Sequence, residues 1–296
     1  MIDRLREKRL HGSSVFPFEH YCMKTEKSNI FVPCHWHEEA EIVIIKSGET
    51  EFIADGVRII LNAGDAAFVN PQQIHQYAGL TSSTEYDACV FSLKSLLFAY
   101  KDKSQSFYIE PLLKGSLRFP QVIRSDSPIN EEIRRTFSGM INFYHEKNPG
   151  WELAVKISLY EIICILIRYN LLSGSKIIEK DTDTCKRLLE YLDAHLSEDI
   201  TVAEISRYIC MSPNYFSAYF TKHFGRSFVK YMTGLRIEHA CILLLSTPMS
   251  VTEIAVNSGF ENTSYFIRKF RELTGCTPLE YRKKGADVPG NALRQP

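Results

Sequence analysis

Two segments in the final third of the chain match each other in sequence: TVAEIS at 201–206 and SVTEIA at 250–255, which lie 49 residues apart. A set of aromatic and glycine residues follows each segment and recurs 50 residues later. The set is Tyr215, Phe216, Phe220, Gly225 and Tyr231 in the first copy and Tyr265, Phe266, Phe270, Gly275 and Tyr281 in the second. Self-similarity at a fixed spacing indicates that one supersecondary unit occurs twice. This repeat constrains the fold of the chain more than any other feature.

Each copy predicts two short helices joined by a tight turn. Both copies begin with a capping box, TVAE or SVTE, in which hydroxyl and carboxylate satisfy amides of the first helical turn. Ser212 and Pro213 predict the start of the second helix in the first copy, and Gly259 can adopt the positive φ of a tight turn in the second. The second helices, at 213–224 and 263–274, are helix-turn-helix elements that can enter a DNA major groove. Ordinary packed helices explain one such copy, but not two with the same caps and aromatic spacing.

Composition is consistent with this interpretation. Hydrophobic residues make up 45% of the 296 residues and charged residues 24%, which excludes a disordered chain. The chain is neutral overall, with 35 Lys and Arg and 35 Asp and Glu, but residues 201–284 contain 11 basic against 6 acidic side chains. A basic segment on a neutral protein favours a nucleic-acid partner.

The sequence also indicates the compartment. The eight cysteines lie at least 12 residues apart and form no CxxC pair, which argues against a cysteine zinc site and predicts free thiols in a reducing environment. The first residues are charged and lack the apolar core of a signal peptide. The most apolar run, 157–172, is interrupted by Glu161 and Arg168 and is too short to span a bilayer. We therefore expect a cytoplasmic protein with no membrane partner.

In the first two thirds of the chain, the spacing of apolar residues changes once, from a strand pattern to a helix pattern. Up to about residue 91, short apolar runs such as EIVII and VRIIL alternate with Gly, Pro, Asn and Asp, which predicts the strands of a sandwich or barrel and a two-residue hairpin at Asp55-Gly56. After about residue 130, apolar spacings of three and four predict helices at 131–147 and 152–172 that pack antiparallel. Their remaining apolar stripe could serve a partner subunit or pack against the strands.

These patterns predict an α+β protein in five segments. A polar stretch that begins with SGSK at 173–176 is the best candidate for a linker. The last residues of the chain contain few apolar side chains that a core could bury. The predicted order is a β-barrel with an amino-terminal arm at 1–128, a helical segment that could serve dimerisation at 129–172, the linker at 173–182, an all-α double helix-turn-helix domain at 183–285 and a tail at 286–296.

Residues 201–284 resemble the DNA-binding domain of the AraC/XylS transcription regulators. The resemblance rests on TVAEIS, on MSPNYFSAYFTKHFGRSF and above all on SGFENTSYFIRKFRELTGCTPLEYR, which is close to the signature of that family. It implies that a shared helix at about 228–245 holds the two units, whose second helices read major-groove faces roughly 34 Å apart. It also implies a bacterial regulator that binds double-stranded DNA as a homodimer and contacts RNA polymerase, most often as an activator.

Outward positions of the two second helices are candidates for base contacts. They are Asn214, Ser217, Ala218 and Thr221 in the first helix and Asn262, Thr263, Ser264, Ile267 and Arg268 in the second. Asn and Arg suit adenine and guanine edges, and Ala and Ile suit the thymine methyl group. The candidates for phosphate contacts are Lys222, Arg226, Lys269, Arg271, Arg282 and Lys283. Because many relatives carry a basic residue where this chain has Ala218, Arg268 is the strongest candidate for a base contact.

The first domain contains a pattern that resembles the two motifs of cupin barrels. The matching residues are His35, His37, Glu41 and Gly48 in the first motif and Gly64, Asp65, Pro71 and His75 in the second, which is one residue shorter than in cupin enzymes. Strand parity predicts that His35, His37 and Glu41 share one face, as do His75 and Tyr77. Three imidazoles and a carboxylate, those of His35, His37, His75 and Glu41, suit a divalent metal such as Mn, Fe, Ni or Zn.

Several interpretations of these residues stay open. Regulators that resemble this chain often bind a sugar or another small effector in the barrel without catalysis. In that case the effector site includes His35, His37, Glu41, His75 and Tyr77, and Trp36 and the segment 16–18 could cover the ligand. The rivals are a metal-dependent cupin enzyme with an appended DNA-binding module and a ligand-independent repressor. We expect a regulator without catalytic residues or an obligatory cofactor, which responds to a sugar or related metabolite.

Overall fold

A computed structural model of the chain describes residues 10–25, 31–81, 83–174 and 179–286. The amino-terminal part is built from strands. They are β1 (Phe18–Thr25), β2 (Phe31–His35), β3 (Ala40–Ser47), β4 (Glu49–Ala54), β5 (Val57–Asn62), β6 (Ala66–Val69), β7 (His75–Gly79), β8 (Thr84–Phe91), β9 (Leu117–Arg118) and β10 (Val122–Ile123). One sheet has the order β1-β8-β3-β6-β10 and the other β2-β7-β4-β5, with antiparallel neighbours.

Alternate residues of β3 explain how the strands form two cores. Val43 and Ile45 point between the sheets, where they pack with Tyr77. Ile42 and Ile44 belong to a second core on the outer face of the five-stranded sheet. A strand buried on both faces has a continuous apolar sequence, here EIVII. The α+β class with an amino-terminal strand domain is confirmed, but the described strand pairings form these two sheets and a separate two-stranded pair that includes β9, and no closed barrel.

The hairpin predicted at Asp55-Gly56 is confirmed. It joins β4 to β5, with Ala54 opposite Val57. Asp55 and Gly56 both have a positive φ, 49° and 76°. A two-residue turn with both central residues in this region matches the right-handed twist of its strands, and glycine adopts it without strain.

Two long helices cover the outer core. They are α2 (Pro128–Glu146) and α3 (Trp151–Arg168), which follow a short 3₁₀ turn at 93–96, a π-helical turn at 105–109 and α1 (Glu110–Leu113). Phe137 of α2 and Leu159 of α3 pack in the same core as Ile42. The helix predicted to end at residue 172 ends at Arg168, because Asn170 has a left-handed φ of 53°. The strand domain thus buries much of the apolar stripe, and a dimerisation role for the rest stays a prediction.

The predicted linker at 173–182 is wrong at both ends. Ser173–Gly174 forms strand β11, which pairs with β9, and helix α4 already begins at Glu179 (Glu179–Ala194). The backbone from Glu179 onward is helical, although the sequence there is as polar as a linker. Residues 175–178 and most of the predicted tail at 286–296, namely 287–296, lie outside the described residues.

The carboxy-terminal part is helical. It contains α5 (Val202–Tyr208), α6 (Pro213–Phe224), α7 (Phe228–Ser246), α8 (Val251–Asn257), α9 (Thr263–Thr274) and α10 (Pro278–Ala286). Both predicted capping boxes are present, at the starts of α5 and α8. Helix α7 contributes to two aromatic cores, one with α4, α5 and α6 and one with α8 and α9. No helix in the described part of the chain is long and apolar enough to cross a membrane.

Candidate functional site

The structure brings the predicted histidines together. His35 is the last residue of β2 and pairs with His75, the first residue of β7, while His37 lies in the connection to β3. One ring nitrogen of each histidine lies within 4.8 Å of one ring nitrogen of the other two. The rings of His35 and His75 are 4.2 Å apart between centroids. The shorter spacing of the second motif therefore does not keep His75 from the cluster.

Backbone carbonyls orient all three rings in the same way. The Nδ1 atoms of His35, His37 and His75 lie 2.8–3.0 Å from carbonyl oxygens at positions 33, 39 and 73. A carbonyl oxygen can only accept a hydrogen bond, so each Nδ1 carries the proton. In a neutral ring this leaves the lone pair on Nε2. A carbonyl that fixes the tautomer in this way is the usual outer contact of a metal-binding histidine.

Glu41 of β3 supplies a carboxylate to the same cluster. Its Oε2 lies 3.2 Å from His75 Nε2 and 3.5 Å from His37 Nε2. Burial alone would raise the pKa of Glu41, but the adjacent His37 and His75 rings hold it well below the usual range. Burial, and then the charges of His75 and His37, lower the pKa of His35. At neutral pH the site therefore holds a carboxylate beside a neutral His35.

The donor set fits a divalent cation. His75 Nε2 is buried and makes no hydrogen bond within the described part of the chain, although the Glu41 carboxylate is close. Two acceptors that face each other in a buried site repel unless a proton or a cation lies between them. Three imidazole nitrogens and one carboxylate oxygen are ligands for Mn, Fe, Ni or Zn.

Two further residues border the cluster. Tyr77 was predicted; its buried ring lies 5.8 Å from the His75 ring and its hydroxyl has no hydrogen-bond partner among the described residues. His11 was missed; its buried ring lies 5.5 Å from the His37 ring, and Nδ1 is 2.9 Å from the Tyr21 hydroxyl. A lone histidine in the arm gives no periodic signal, so the sequence could not identify it.

The proposed cover at 16–18 lies elsewhere. Phe18 belongs to the outer core, and the Phe16 ring packs on Trp151 of α3 at 4.8 Å. These aromatic residues fix the arm to the helices and do not cover the histidines.

Most predicted base-contacting side chains are exposed. On α6 they are Asn214, Ser217, Ala218 and Thr221, and near α9 they are Asn262, Ser264, Ile267 and Arg268, whereas Thr263 is half-buried. The opposite faces of the two helices are buried through Phe216 and Phe266. Asn262 is also the N-cap of α9, since its Oδ1 accepts a hydrogen bond from the Tyr265 amide at 2.9 Å. The Arg268 guanidinium lies 5.2 Å from the centroid of the Tyr265 ring.

The predicted phosphate contacts divide into two groups. Lys222, Arg271 and Lys283 are exposed, and Lys269 pairs with Glu272 at 2.7 Å. Arg226 and Arg282 differ from these residues in their surroundings. The Arg226 side chain is half-buried; burial lowers its pKa, and Glu51 of the strand domain partly offsets this. Arg282 donates to the carbonyls of Leu244 and Met249, so its guanidinium is committed to the end of α7.

Comparison with known proteins matches both parts of the chain. Residues 205–284 match the family model of a helix-turn-helix domain, and residues 23–88 match that of a cupin domain. The uncharacterized HTH-type transcriptional regulator YdeC of Bacillus subtilis (strain 168) is 26% identical over 299 residues, which cover 96% of this chain and 98% of YdeC. The regulatory protein PocR of Salmonella typhimurium is 38% identical over 99 residues, 33% of each chain.

Solved structures also align with the chain. ToxT from Vibrio cholerae O395 aligns with 92% of this chain and 99% of its own, at 16% sequence identity and a TM-score of 0.43. The YdeC match thus spans the strand domain and the helical domain, whereas the PocR match is limited to a third of the chain.

Proposed function

We propose that the chain is a DNA-binding transcription regulator of the AraC type with a cupin domain, in which a small ligand in the histidine cluster controls how it reads DNA. The observation that supports this most is the convergence of the half-buried His35 with the buried His37, His75 and Glu41. A buried group of this polarity costs free energy unless a ligand or a proton satisfies it.

The histidine cluster would hold a divalent cation through His35, His37, His75 and Glu41. A bound cation supplies a coordination position for hydroxyl or carboxylate oxygens of an effector, such as a sugar or a related metabolite. The protein's own residues then set the shape of the site: carbonyl contacts orient the rings, and Tyr77 and His11 form part of its wall. The role is binding, and no reaction is required of these residues.

DNA is read by α6 and α9 in this proposal. The exposed positions named above face outward from buried aromatic cores, as a helix in a major groove requires. Arg268 would bind a guanine edge, and the exposed lysines and arginines would bind phosphates.

Assembly on a promoter is part of the same proposal. We expect a homodimer formed through α3, because Leu153 and Ile157 of this helix remain 64% and 57% exposed. The DNA-bound dimer would contact RNA polymerase and activate transcription.

Thermal unfolding of the purified full chain tests the ligand site. We expect Co²⁺, Zn²⁺ or Mn²⁺ to raise the melting temperature, because a ligand at 100 times its Kd stabilises the folded state by about 2.7 kcal/mol. A screen of sugars with the metal present then seeks the effector. His75→Ala should abolish the metal effect, whereas His195→Ala, a histidine outside the cluster, should retain it. A response that is the same in both variants would place the metal elsewhere.

A further inference from the structure

The strands that carry the histidines also contact the first helix-turn-helix unit. Along 34–37 and 74–76, residues that belong to the histidine site alternate with residues that face the helical domain. The site residues are His35, His37 and His75, and the residues between or beside them are Cys34, Trp36, Ile74 and Gln76. Cys34, Trp36 and Ile74 pack in the same apolar cluster as Phe220 of α6 and Tyr231 of α7. The two groups therefore lie on opposite faces of the same backbone.

Polar contacts hold this interface together next to the histidines of the cluster. The Tyr231 hydroxyl donates to the carbonyl of Cys34 at 3.2 Å, and the Gln76 amide donates to the carbonyl of Phe224 at 3.1 Å. The Lys186 ammonium group of α4 lies 4.2 Å from the centroid of the Trp36 ring. Each strand residue named here is adjacent in sequence to a histidine of the cluster.

Gly225 shows how closely the first unit approaches the strands. It ends α6 with a φ of 69°, and a Cβ atom at this position would overlap Ile53 Cδ1 and lie 3.1 Å from Gln76 Nε2. Gly275 ends α9 in the same way, with a φ of 77°, but no atom of the described residues lies within 4 Å of a Cβ atom there. The two glycines therefore share one backbone conformation and differ in their contact with the strand domain.

We propose that occupation of the histidine site and docking of the first helix-turn-helix unit on β2 and β7 strengthen each other. This inference rests on the proposed function of the histidine site. The pairing of β2 with β7 is irregular between Val32 and His35, where Cys34 lies. A cation held by His35 and His75 fixes these two strands relative to each other, and with them the carbonyl and amide that bind α6 and α7. Coupling between two binding events is reciprocal, so docking raises the affinity of the site.

The two glycines provide the test. Co²⁺ is titrated into the full-length wild type, Gly225→Ala and Gly275→Ala, and its visible absorption bands report binding at the histidines. Both substitutions introduce the same left-handed strain, but only the methyl group of Gly225→Ala meets side chains of the strand domain, those of Ile53 and Gln76, which must move to make room. We expect Gly225→Ala to bind Co²⁺ roughly fivefold or more weakly than wild type, and Gly275→Ala to bind as wild type does. Co²⁺ should also slow amide exchange in 213–231 more than in 263–281.

A second pair of variants covers the case in which Gly225→Ala does not fold. Tyr231→Phe removes the hydroxyl that binds Cys34, and Tyr215→Phe removes an exposed hydroxyl from α6. Weaker Co²⁺ binding by Tyr231→Phe alone supports the coupling. Wild-type affinity in both Gly225→Ala and Tyr231→Phe, with no change in amide exchange, overturns it and leaves the ligand site intact. A wild-type chain that binds no Co²⁺ overturns the histidine site as well.

Discussion

At the residue scale, the most specific prediction about DNA recognition concerns Arg268. It is exposed on α9, and its guanidinium lies against the Tyr265 ring, which restricts its position. A preordered arginine can donate two hydrogen bonds to a guanine edge.

We expect Arg268→Ala to lose about 1–3 kcal/mol of binding free energy on the preferred duplex and to relax the preference at one base position. Competition binding with single-base variants of that duplex measures both. Lys222→Ala is the comparison. Loss of a phosphate contact weakens binding to all sequences equally and reduces the steepness of log K against log salt concentration by about one unit. If Arg268→Ala also weakens all sequences equally, Arg268 is a phosphate contact and our assignment is wrong.

The sequence predicted some site residues better than others, for a physical reason. Strand parity and motif spacing identified His35, His37, Glu41 and His75, which the structure brings together because neighbouring strands carry them. Helical periodicity identifies exposed positions on an isolated helix but not what docks there. The family resemblance, in turn, assigned Arg226 to phosphate, whereas this side chain, which follows the end of α6, is half-buried close to the strand domain.

At the element scale, the local sequence was sufficient to predict the two capping boxes. Ser250 Oγ accepts a hydrogen bond from the Glu253 amide at 3.2 Å, and the Ser250 amide donates to the Glu253 carboxylate at 2.8 Å. The backbone amide and then the hydroxyl of Ser250 lower the pKa of Glu253. Because this pKa is lowered in the folded state, the contribution of the carboxylate is present above the ordinary carboxyl pKa and is lost as the pH falls. The start of α4 was harder to predict, since its first turn is as polar as a linker.

Ser250→Ala should destabilise the second unit by about 0.5–2 kcal/mol, because it removes the N-cap of α8. Amide exchange in α8 and chemical denaturation of the full chain measure this change. Ser246→Ala, which removes an exposed hydroxyl at the end of α7, is the matched control and should have little effect. Equal exchange in the two variants would show that the cap does not stabilise α8.

At the scale of the whole molecule, the histidine site lies where the strand domain meets the first helix-turn-helix unit. The order of the two domains could be predicted, because each has its own periodicity. Their contact could not be predicted, because Cys34 and Gln76 are far from Gly225 in sequence and no motif around these residues indicates a contact. While the first unit is docked, Arg226 is partly withdrawn from solvent, so release of this unit would add a basic side chain to the DNA-facing surface.

The central claim is that the duplicated helical units read a double helix. Its most direct test selects duplexes that bind the full-length chain from a random pool and compares their affinity with that of random duplex at one salt concentration. We expect the selected duplex to bind at least ~10³-fold more tightly, with protection of two major-groove segments about one helical turn apart. Equal affinity for selected and random duplex, with no protected segments, would contradict the account.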